Sequence, residues 1–370
     1  MGTTFASRTH WRSRASRCAA AVAFAGAALA MGALPAAAAS RAARHSVARK
    51  AVRSLSVAVD STEVTPIPNG VIQLGADTGY YRRNGLNVKL VTLEGTTEAA
   101  QALASGEVDV ANLDTSEALE LVAQHLLTLK AVDSTGSAPD YVLVARDSIK
   151  NLSDLAGATY AGLGAGSEPN FLFGYLLARN HISSSRVHID NVGSPLARIL
   201  AVVNGQADAT MVSDAQWSSL TAQQKAGLHL LLNQLQFLKA VPFQAKVNVA
   251  AASIVKKDAP AIQLFVTLTM KLSRYYYTHP NDWAAAVARQ RSDLVYAALA
   301  NLAHQQGFKQ QWCVNGCLNR TVIARTAALL FRSGALPPGT SPVGINSWID
   351  ETFVQRALHQ LGVMKGVDKP

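Results

Sequence analysis

One sequence unit occurs twice in this chain, and the repetition constrains the fold more than any other feature. Each copy begins with glycine and small polar residues, at Gly95 and at Gly193, and continues through a helix with apolar periodicity to a Gly-x-x-Asp signature. The two signature aspartates, Asp109 and Asp208, lie 99 residues apart, and a short apolar strand follows each signature. We therefore expect two lobes built on one plan.

A short polar segment comes after each of these strands. The first copy has Asp114 and Thr115, and the second has Ser213 and Asp214. In open α/β units, ligands bind beyond the carboxyl ends of strands, where loops and helix N-termini gather. We expect the two polar segments to face each other across a cleft between the lobes.

Strand and helix patterns alternate through the first two thirds of the chain. Apolar strands are predicted at residues 54–59, 87–93, 108–113, 127–132, 141–145, 159–163, 188–192, 207–212 and 246–254, the last returning to the first lobe. Helical patterns then dominate, at residues 259–278, 281–304, 321–333 and 347–361. This order predicts an α/β fold with two mainly parallel sheets flanked by helices, the C-terminal helices packing on the first lobe.

The positive charge is concentrated in the first 59 residues. The chain has 370 residues and a formal charge of +10, but residues 1–59 hold nine basic side chains and no acid. The rest of the chain, with 25 basic and 24 acidic residues, is nearly neutral. A basic face for nucleic acid therefore has no support in the folded part.

Residues 1–39 have the three parts of a secretory signal peptide. A basic start through Arg17 precedes an apolar run at 18–34 and a small-residue region, with cleavage expected after Ala39. A membrane anchor is the alternative, but glycines interrupt the run and Ala-x-Ala ends it. We expect a cleaved Sec-type signal, a basic flexible arm at 40–53, and a periplasmic protein, with secretion as the alternative.

Two cysteines, Cys313 and Cys317, remain after the signal peptide is removed. An exported protein meets an oxidising compartment, so a small local disulfide is expected. A metal site is the alternative, although two cysteines alone supply only part of a ligand set.

Several short motifs occur in order between residues 54 and 257. They are GYY at 79–81 with NGLNV at 84–88, LASGEVDV at 103–110, LSDLAG at 152–157, GS at 166–167 and NGQADA at 204–209. Together these motifs resemble the solute-binding proteins of ABC importers, and in particular the branch that serves nitrate, sulfonates, taurine and thiamine-pyrimidine precursors. Each is weak alone, but their order and spacing are fairly specific.

The resemblance implies a two-lobed periplasmic-binding-protein type II fold. Residues 54–140 would begin the first lobe, 141–248 would form the second, and 249–370 would complete the first. Closure of the cleft would bury a small-molecule solute, and the closed form would be delivered to an ABC permease in the inner membrane. The family further implies a monomer that has no cofactor.

Position within the two lobes selects the residues expected to line the cleft. Each could instead be an ordinary cap or turn residue. The expected lining residues are Ser61, Thr65, Asp114, Thr115, Thr135, Gly136, Gly166, Ser167, Glu168, Ser213 and Asp214, with Trp217 as an aromatic wall.

Three acids set this chain apart from the sulfonate and nitrate branches, which favour small neutral residues at the positions of Asp114, Glu168 and Asp214. A carboxylate at a helix N-terminus competes with a bound anion for the same donors. An amine, a protonated ring nitrogen or a zwitterion suits acids better, unless these acids merely cap helices. The expected solute is therefore sulfonate- or taurine-like, or aminopyrimidine-like.

Two rival functions share this fold. An enzyme is disfavoured because the glycine run Gly162-x-Gly164-x-Gly166 departs from the dinucleotide spacing, and Gly-x-Ser-x-Gly does not occur. We therefore expect no catalytic or metal-binding residues, although some relatives in this superfamily are dehydratases or pyrimidine synthases. A ligand sensor that docks on a membrane receptor would have the same fold as an importer component.

Overall fold

The computed structural model describes residues 52–163, 167–241, 243–333 and 344–365. The predicted signal peptide, nearly all of the basic arm, and Gly166 lie outside these residues. Within them the chain forms ten strands: β1 (Arg53–Val59), β2 (Leu86–Thr92), β3 (Val110–Asp114), β4 (Leu129–Gly136), β5 (Tyr141–Arg146), β6 (Thr159–Gly162), β7 (His188–Asn191), β8 (Ala209–Ser213), β9 (Leu228–Leu232) and β10 (Lys246–Ala251).

Helices fill the connections between strands and most of the C-terminal third. They are α1 (Val71–Asp77), α2 (Tyr80–Arg83), α3 (Thr96–Ser105), α4 (Thr115–Ala123), α5 (Glu168–Arg179), α6 (Pro195–Val203), α7 (Asp214–Ser219), α8 (Gln234–Ala240), α9 (Ala252–Lys257), α10 (Ala259–Thr278), α11 (Pro280–Gln290), α12 (Tyr296–Ala303), α13 (Gln306–Lys309), α14 (Arg320–Ser333), α15 (Ile345–Trp348) and α16 (Thr352–Leu361). Short 3₁₀ turns occupy Pro68–Gly70, Leu152–Leu155 and Ser184–Arg186. None of the described helices is long and apolar enough to cross a membrane.

The strands form two five-stranded mixed sheets. The first has the order β2-β1-β3-β10-β4, and the second has the order β7-β6-β8-β5-β9. In each sheet four strands run in one direction, and the fifth, β10 or β5, pairs antiparallel with both of its neighbours. The predicted α/β class with mainly parallel sheets is confirmed, and one reversed strand in each sheet is added to it.

The reversed strands carry the chain between the sheets. The chain leaves the first sheet after β4 and enters the second through β5, and it returns through β10. The first crossover spans only residues 137–140, and β10 begins soon after α8 ends, so the crossovers bring strand ends of the two sheets together.

The glycines of the two repeated signatures end helices in the same way. Gly106, after α3, has φ 77°, and Gly205, after α6, has φ 73°. This left-handed conformation is unfavourable for a residue with a side chain, and glycine is the usual helix terminator there.

The aspartates of the signatures fasten neighbouring parallel strands. The Oδ2 atom of Asp109 accepts hydrogen bonds from the backbone N–H of Ser56 (2.8 Å) and from its hydroxyl (2.7 Å). In the second sheet, Oδ2 of Asp208 accepts from the backbone N–H of Thr159 at 2.9 Å. The repeated motif thus links β1 to β3 and β6 to β8, at the ends of β3 and β8 that lie opposite to the polar segments.

Several element boundaries differ from the sequence predictions. The strand predicted at 246–254 stops at Ala251, where its pairing with β4 ends, and the chain continues as α9. The helix predicted at 281–304 is broken between α11 and α12, where Arg291 turns to bind Asp293 and the carbonyl of Val64. The helix predicted at 347–361 is likewise divided into α15 and α16. Strand β9 was not predicted.

The C-terminal helices contact elements of both the first and the second sheet. Helix α10 packs against α1, α16 and strands β1 and β4 of the first sheet. Helices α12 and α13 instead contact α7 and α8, which follow strands of the second sheet. The C-terminal region therefore does more than complete the first lobe.

Cys313 and Cys317 are joined by a disulfide in the loop between α13 and α14. Both residues are buried, and their Cα atoms lie 5.1 Å apart. The backbone N–H of Ser134 in β4 donates to the carbonyl of Gly316 within this loop, at 2.9 Å. The bridge thus closes a buried loop, and this hydrogen bond holds the loop against the end of the first sheet.

Candidate functional site

A cavity of about 710 Å³ is lined by residues of both sheets. It lies where β3, β4, β6 and β8 end and where the reversed strands β5 and β10 begin. This is the position at which open α/β sheets bind ligands. Its polar lining residues include Asp60, Ser61, Thr65, Asn69, Thr96, Thr97, Asp114, Ser116, Glu117, Glu120, Thr135, Asp140, Tyr141, Ser167, Glu168, Ser213, Lys246 and Gln311.

Lys246 is the centre of a buried charge cluster in this cavity. It is the first residue of β10 and is paired in register with Asp114 of β3 and Gly136 of β4. Its Nζ lies 2.5 Å from Oδ1 of Asp114 and also contacts Oδ2 of Asp60, the residue after β1. All three side chains are no more than 16% exposed.

The electrostatics of this cluster favour a permanently charged lysine. Burial lowers the pKa of Lys246, but the carboxylates of Asp114 and Asp60 outweigh burial and raise it above its usual range. Burial also raises the pKa of Asp114, and Lys246 opposes this shift. The ammonium group of Lys246 is thus ion-paired with two carboxylates.

Gly136 provides the space for Lys246. A Cβ at Gly136 would lie 3.1 Å from both Cβ and Cγ of the lysine, closer than ordinary van der Waals contact. The lysine side chain therefore passes over a position that has no side chain of its own.

Glu168 extends into the cavity from the second sheet. It is the first residue of α5, and the hydroxyl of Tyr141 donates to its Oε2 at 3.4 Å. Burial, and next the nearby Asp114, raise the pKa of Glu168 well above its usual value. Its Oε1 is buried and has no hydrogen-bond partner among the described residues.

Asp140, in the first crossover, is a second buried acid at the cavity wall. Its Oδ1 accepts from Nε2 of Gln234 (2.8 Å) and from Nε2 of Gln311 (3.0 Å). Its Oδ2 has no partner in the described part of the chain, and the residue is only 7% exposed. Burial, and next the charge of Asp214, raise its pKa well above the usual value.

A buried amide network supports the floor of the cavity. Asn112 of β3 donates to Asn248 at 2.7 Å and to the hydroxyl of Thr135 at 3.1 Å, and it accepts from Asn69 at 3.0 Å. Thr135 in turn donates to Asn69 at 2.6 Å, and Asn248 donates to Asp133 at 2.9 Å. These bonds fix the orientation of Asn69 and Thr135, whose side chains line the cavity.

The structure brings eight of the twelve predicted lining residues to this cavity. They are Ser61, Thr65, Asp114, Thr135, Gly136, Ser167, Glu168 and Ser213. Ser167 occupies the N-cap position of α5, but its hydroxyl makes no capping hydrogen bond within the described residues. That these eight residues bind a solute stays a prediction. The twelfth predicted residue that is not discussed below, Gly166, lies outside the described residues.

Three predicted residues lie elsewhere. Thr115 is completely buried behind the cavity wall at the start of α4. Asp214 is buried and accepts from Ser218 one turn along α7. Trp217 packs against the small apolar cluster of the second sheet, with Lys225 above its ring. These last two side chains, both on helix α7, are not among the residues that line the cavity.

Four further residues of the site were missed by sequence reasoning. Asp60 follows β1, so the rule that ligands lie beyond strand ends could have found it. Lys246 stands alone at the start of an apolar strand, and Asp140 and Tyr141 stand at the first crossover. The available signal for these residues was their position: each is charged or carries a hydroxyl group, and each lies at or just before the start of a strand that follows a crossover between the sheets.

Comparison with known proteins places the chain by family and by fold. The family described as NMT1/THI5 like matches residues 70–283, which is more than half of the chain. No curated protein is detectably similar to the chain in sequence.

Solved structures share the architecture at low sequence identity. The periplasmic sulfonate-binding protein SsuA of a putative sulfonate ABC transporter from Methylobacillus flagellatus KT is 17% identical, with a TM-score of 0.69 over 87% of this chain and 98% of that one. The periplasmic nitrate-binding protein NrtA from Synechocystis PCC 6803 is 13% identical, with a TM-score of 0.65 over 85% and 90%. The desulfurization enzyme DSZB is 14% identical, with a TM-score of 0.60 over 84% and 99%. These likenesses establish the type II periplasmic-binding-protein fold, which binding proteins share with an enzyme.

Proposed function

Because this chain belongs to the NMT1/THI5-like family, we propose that it captures a small polar organic solute as the extracytoplasmic component of an ABC importer. The observation that carries the proposal is the cavity of about 710 Å³ lined by both sheets. A cavity between two units joined by short crossovers can close around a solute by a hinge motion. The closed form would then be presented to a permease in the inner membrane.

The polar groups of the cavity support binding. Thr65, Ser167, Asp140 and Glu168 each have a buried polar atom that the described residues leave without a hydrogen-bond partner, and a solute could satisfy these atoms on closure. The volume is in the range of small-molecule sites. We propose export by the leader at residues 1–39 and a periplasmic location, as for the two binding proteins of the same fold.

A same-fold enzyme is the second candidate, since the fold occurs in a desulfurization enzyme. A lysine nucleophile or base must give up its proton. Lys246 is instead ion-paired to Asp60 and Asp114, and its pKa is raised, so it stays protonated. This supports binding over lysine-dependent catalysis.

A thermal-shift screen of the exported protein tests the proposal. The panel comprises nitrate, alkylsulfonates, taurine, aminopyrimidines, amino acids and polyamines. A solute that binds only the folded state raises the melting temperature by mass action. Mass spectrometry of the bound solute after incubation then separates a binder, which returns it unchanged, from an enzyme.

Uptake measurements separate an importer component from a sensor. Deleting the gene should abolish uptake of the bound solute if the protein delivers it to a permease. Normal uptake together with a lost transcriptional response to the solute would contradict import and favour the sensor. If no compound of the panel raised the melting temperature in the thermal-shift screen, this result would count against solute binding itself.

A further inference from the structure

The described wall of the cavity has an excess of carboxyl groups over cations. Lys246 is the one cationic side chain that lines it within the described residues, and Asp60 and Asp114 already neutralise this lysine. The remaining carboxyl groups belong to Glu117, Glu120, Asp140 and Glu168.

Two of these carboxyl groups have an oxygen that the described residues leave without a hydrogen-bond donor. Oε1 of Glu168 and Oδ2 of Asp140 are both buried, and Asp140 is only 7% exposed overall. A buried carboxylate oxygen without a donor is costly, because it has lost water without gaining a replacement. Both oxygens belong to residues that line the cavity, so a bound solute can supply the missing donors.

We propose that the solute is an organic cation whose N–H groups bind the carboxylate of Glu168, facing the Asp60–Lys246–Asp114 cluster across the cavity. A protonated alkylamine or a protonated ring amine meets this description. The inference rests on the proposed function and specifies its solute class. An anion such as a sulfonate would approach several carboxylates and a lysine that is already paired, so like-charge repulsion and desolvation oppose it.

The positions of the acids explain why a cation is needed. Glu168 faces Asp114, Asp60 and Lys246 from the first sheet and Tyr141 from its own. When no further cation is bound, burial and mutual repulsion favour the protonated form of these acids. The pKa of Glu117, for example, is raised to about 7, mainly by burial and next by the charge of Glu120. A bound cation favours the ionised carboxylates and displaces these protons. Affinity for the cation should therefore rise with pH as the acids ionise, and binding should release protons.

A series of three-carbon probes that differ in charge tests the inference. The probes are propylammonium, 1,3-diaminopropane, 3-aminopropane-1-sulfonate and propane-1-sulfonate, measured by calorimetry on the full exported protein up to about 10 mM, well above a weak Kd of about 1 mM. We expect the two probes without a sulfonate to bind most tightly, and more tightly at higher pH.

Two variants with the same change of charge localise the effect. Glu168→Gln removes the acid of the cavity, and Glu107→Gln removes an exposed acid after α3 that is remote from the cavity lining. Losing a hydrogen bond to a charged group should weaken cation binding at least about tenfold in Glu168→Gln, with no change in Glu107→Gln. Asp140→Asn serves as the second cavity variant, and circular dichroism confirms that each variant is folded.

The outcomes separate the inference from the function on which it rests. Tighter binding of propane-1-sulfonate or of the zwitterion would overturn the cation assignment and leave solute binding intact. Equal cation binding by both glutamate variants would overturn the role of Glu168. Absence of binding by all four probes would reject the cation assignment. Solute binding would be rejected only if, in addition, no compound of the thermal-shift panel raised the melting temperature.

Discussion

Asp114 and Lys246 are direct partners on neighbouring antiparallel strands, and their side chains form an ion pair with 2.5 Å between Oδ1 and Nζ. Asp114 ends the strand of the first repeated unit, whereas Lys246 begins the strand that returns from the second sheet. Asp60, after β1, contacts the same lysine. A single ammonium group thus joins three segments of the chain in the wall of the cavity, which makes it both a structural and an electrostatic feature of the site.

Replacing Lys246 by Met should destabilise the protein strongly, by about 3–5 kcal/mol, since two buried carboxylates lose their counter-charge. Urea unfolding measures this change. Lys257→Met, at an exposed position, should stay within about 0.5 kcal/mol of the wild type. The double variant Lys246→Met with Asp114→Asn should recover part of the loss. If Lys246→Met is no less stable than the Lys257 variant, the ion pair has no stabilising role.

Replacing either signature aspartate by alanine should reduce stability without affecting solute binding. Asp109 and Asp208 accept hydrogen bonds from the neighbouring strand at positions away from the cavity lining, and such bonds to a charged group are worth about 1.5–3 kcal/mol. Unfolding by urea and calorimetry with a solute found in the screen give the two readouts. Glu94→Ala, at an exposed position, is the control. Weakened binding by a folded variant would contradict a purely structural role.

The stability of the protein should fall as pH rises through neutrality because of Asp133. Burial raises the pKa of this acid from 3.8 to about 7, and the hydrogen bond from Asn248 only partly opposes the shift. The folded state therefore holds a proton that the unfolded state releases near pH 4. The stabilisation is complete below pH 4 and is lost as pH rises through about 7, at about 1.4 kcal/mol for each pKa unit.

Asp133→Asn should remove this pH dependence, because the amide keeps an acceptor for Asn248 and does not titrate. Its unfolding free energy should decline less between pH 4 and pH 8 than that of the wild type, as measured by urea titrations at several pH values. The exposed Glu94→Gln variant should retain the wild-type slope. Parallel slopes for Asp133→Asn and the wild type would show that another group titrates.

Reduction of the Cys313–Cys317 disulfide should lower stability moderately and weaken solute binding. The bridge closes a short loop, for which the chain-entropy relation gives about 2 kcal/mol. The loop begins just after Gln311, which donates to Asp140 at the cavity. Thermal unfolding and calorimetry with and without reductant measure the two effects. The double variant Cys313→Ser with Cys317→Ser should behave as the reduced protein and should not respond to reductant; a response would show that the reductant acts elsewhere.

Much of the fold followed from local sequence pattern. The spacing of apolar residues predicted most strands and the helices α10 and α14, because side-chain periodicity reflects which face of an element is buried. It failed where a contact with a distant part of the chain accompanies the end of an element. Arg291 interrupts the pattern of α11 and α12 by binding Asp293 and the carbonyl of Val64, a distant contact that periodicity does not record.

The candidate site was predictable as a set of strand ends and only partly as a set of side chains. Asp114 and Glu168 were found because they follow strands or open helices. Trp217 was expected in the cleft but packs against the second sheet, since the rotation of a short helix about its axis depends on the surface that it covers.

The sequence by itself determined the two-lobed plan, since the repeated Gly-x-x-Asp units specify helix ends and strand starts through local conformation. Only the tertiary structure decided which charges meet. Lys246 contacts Asp60 across 186 residues of chain, and Glu168 faces both from the other sheet. The physical reason is that strand register and the approach of two sheets are set by packing over the whole chain, whereas periodicity reports only the environment of each element.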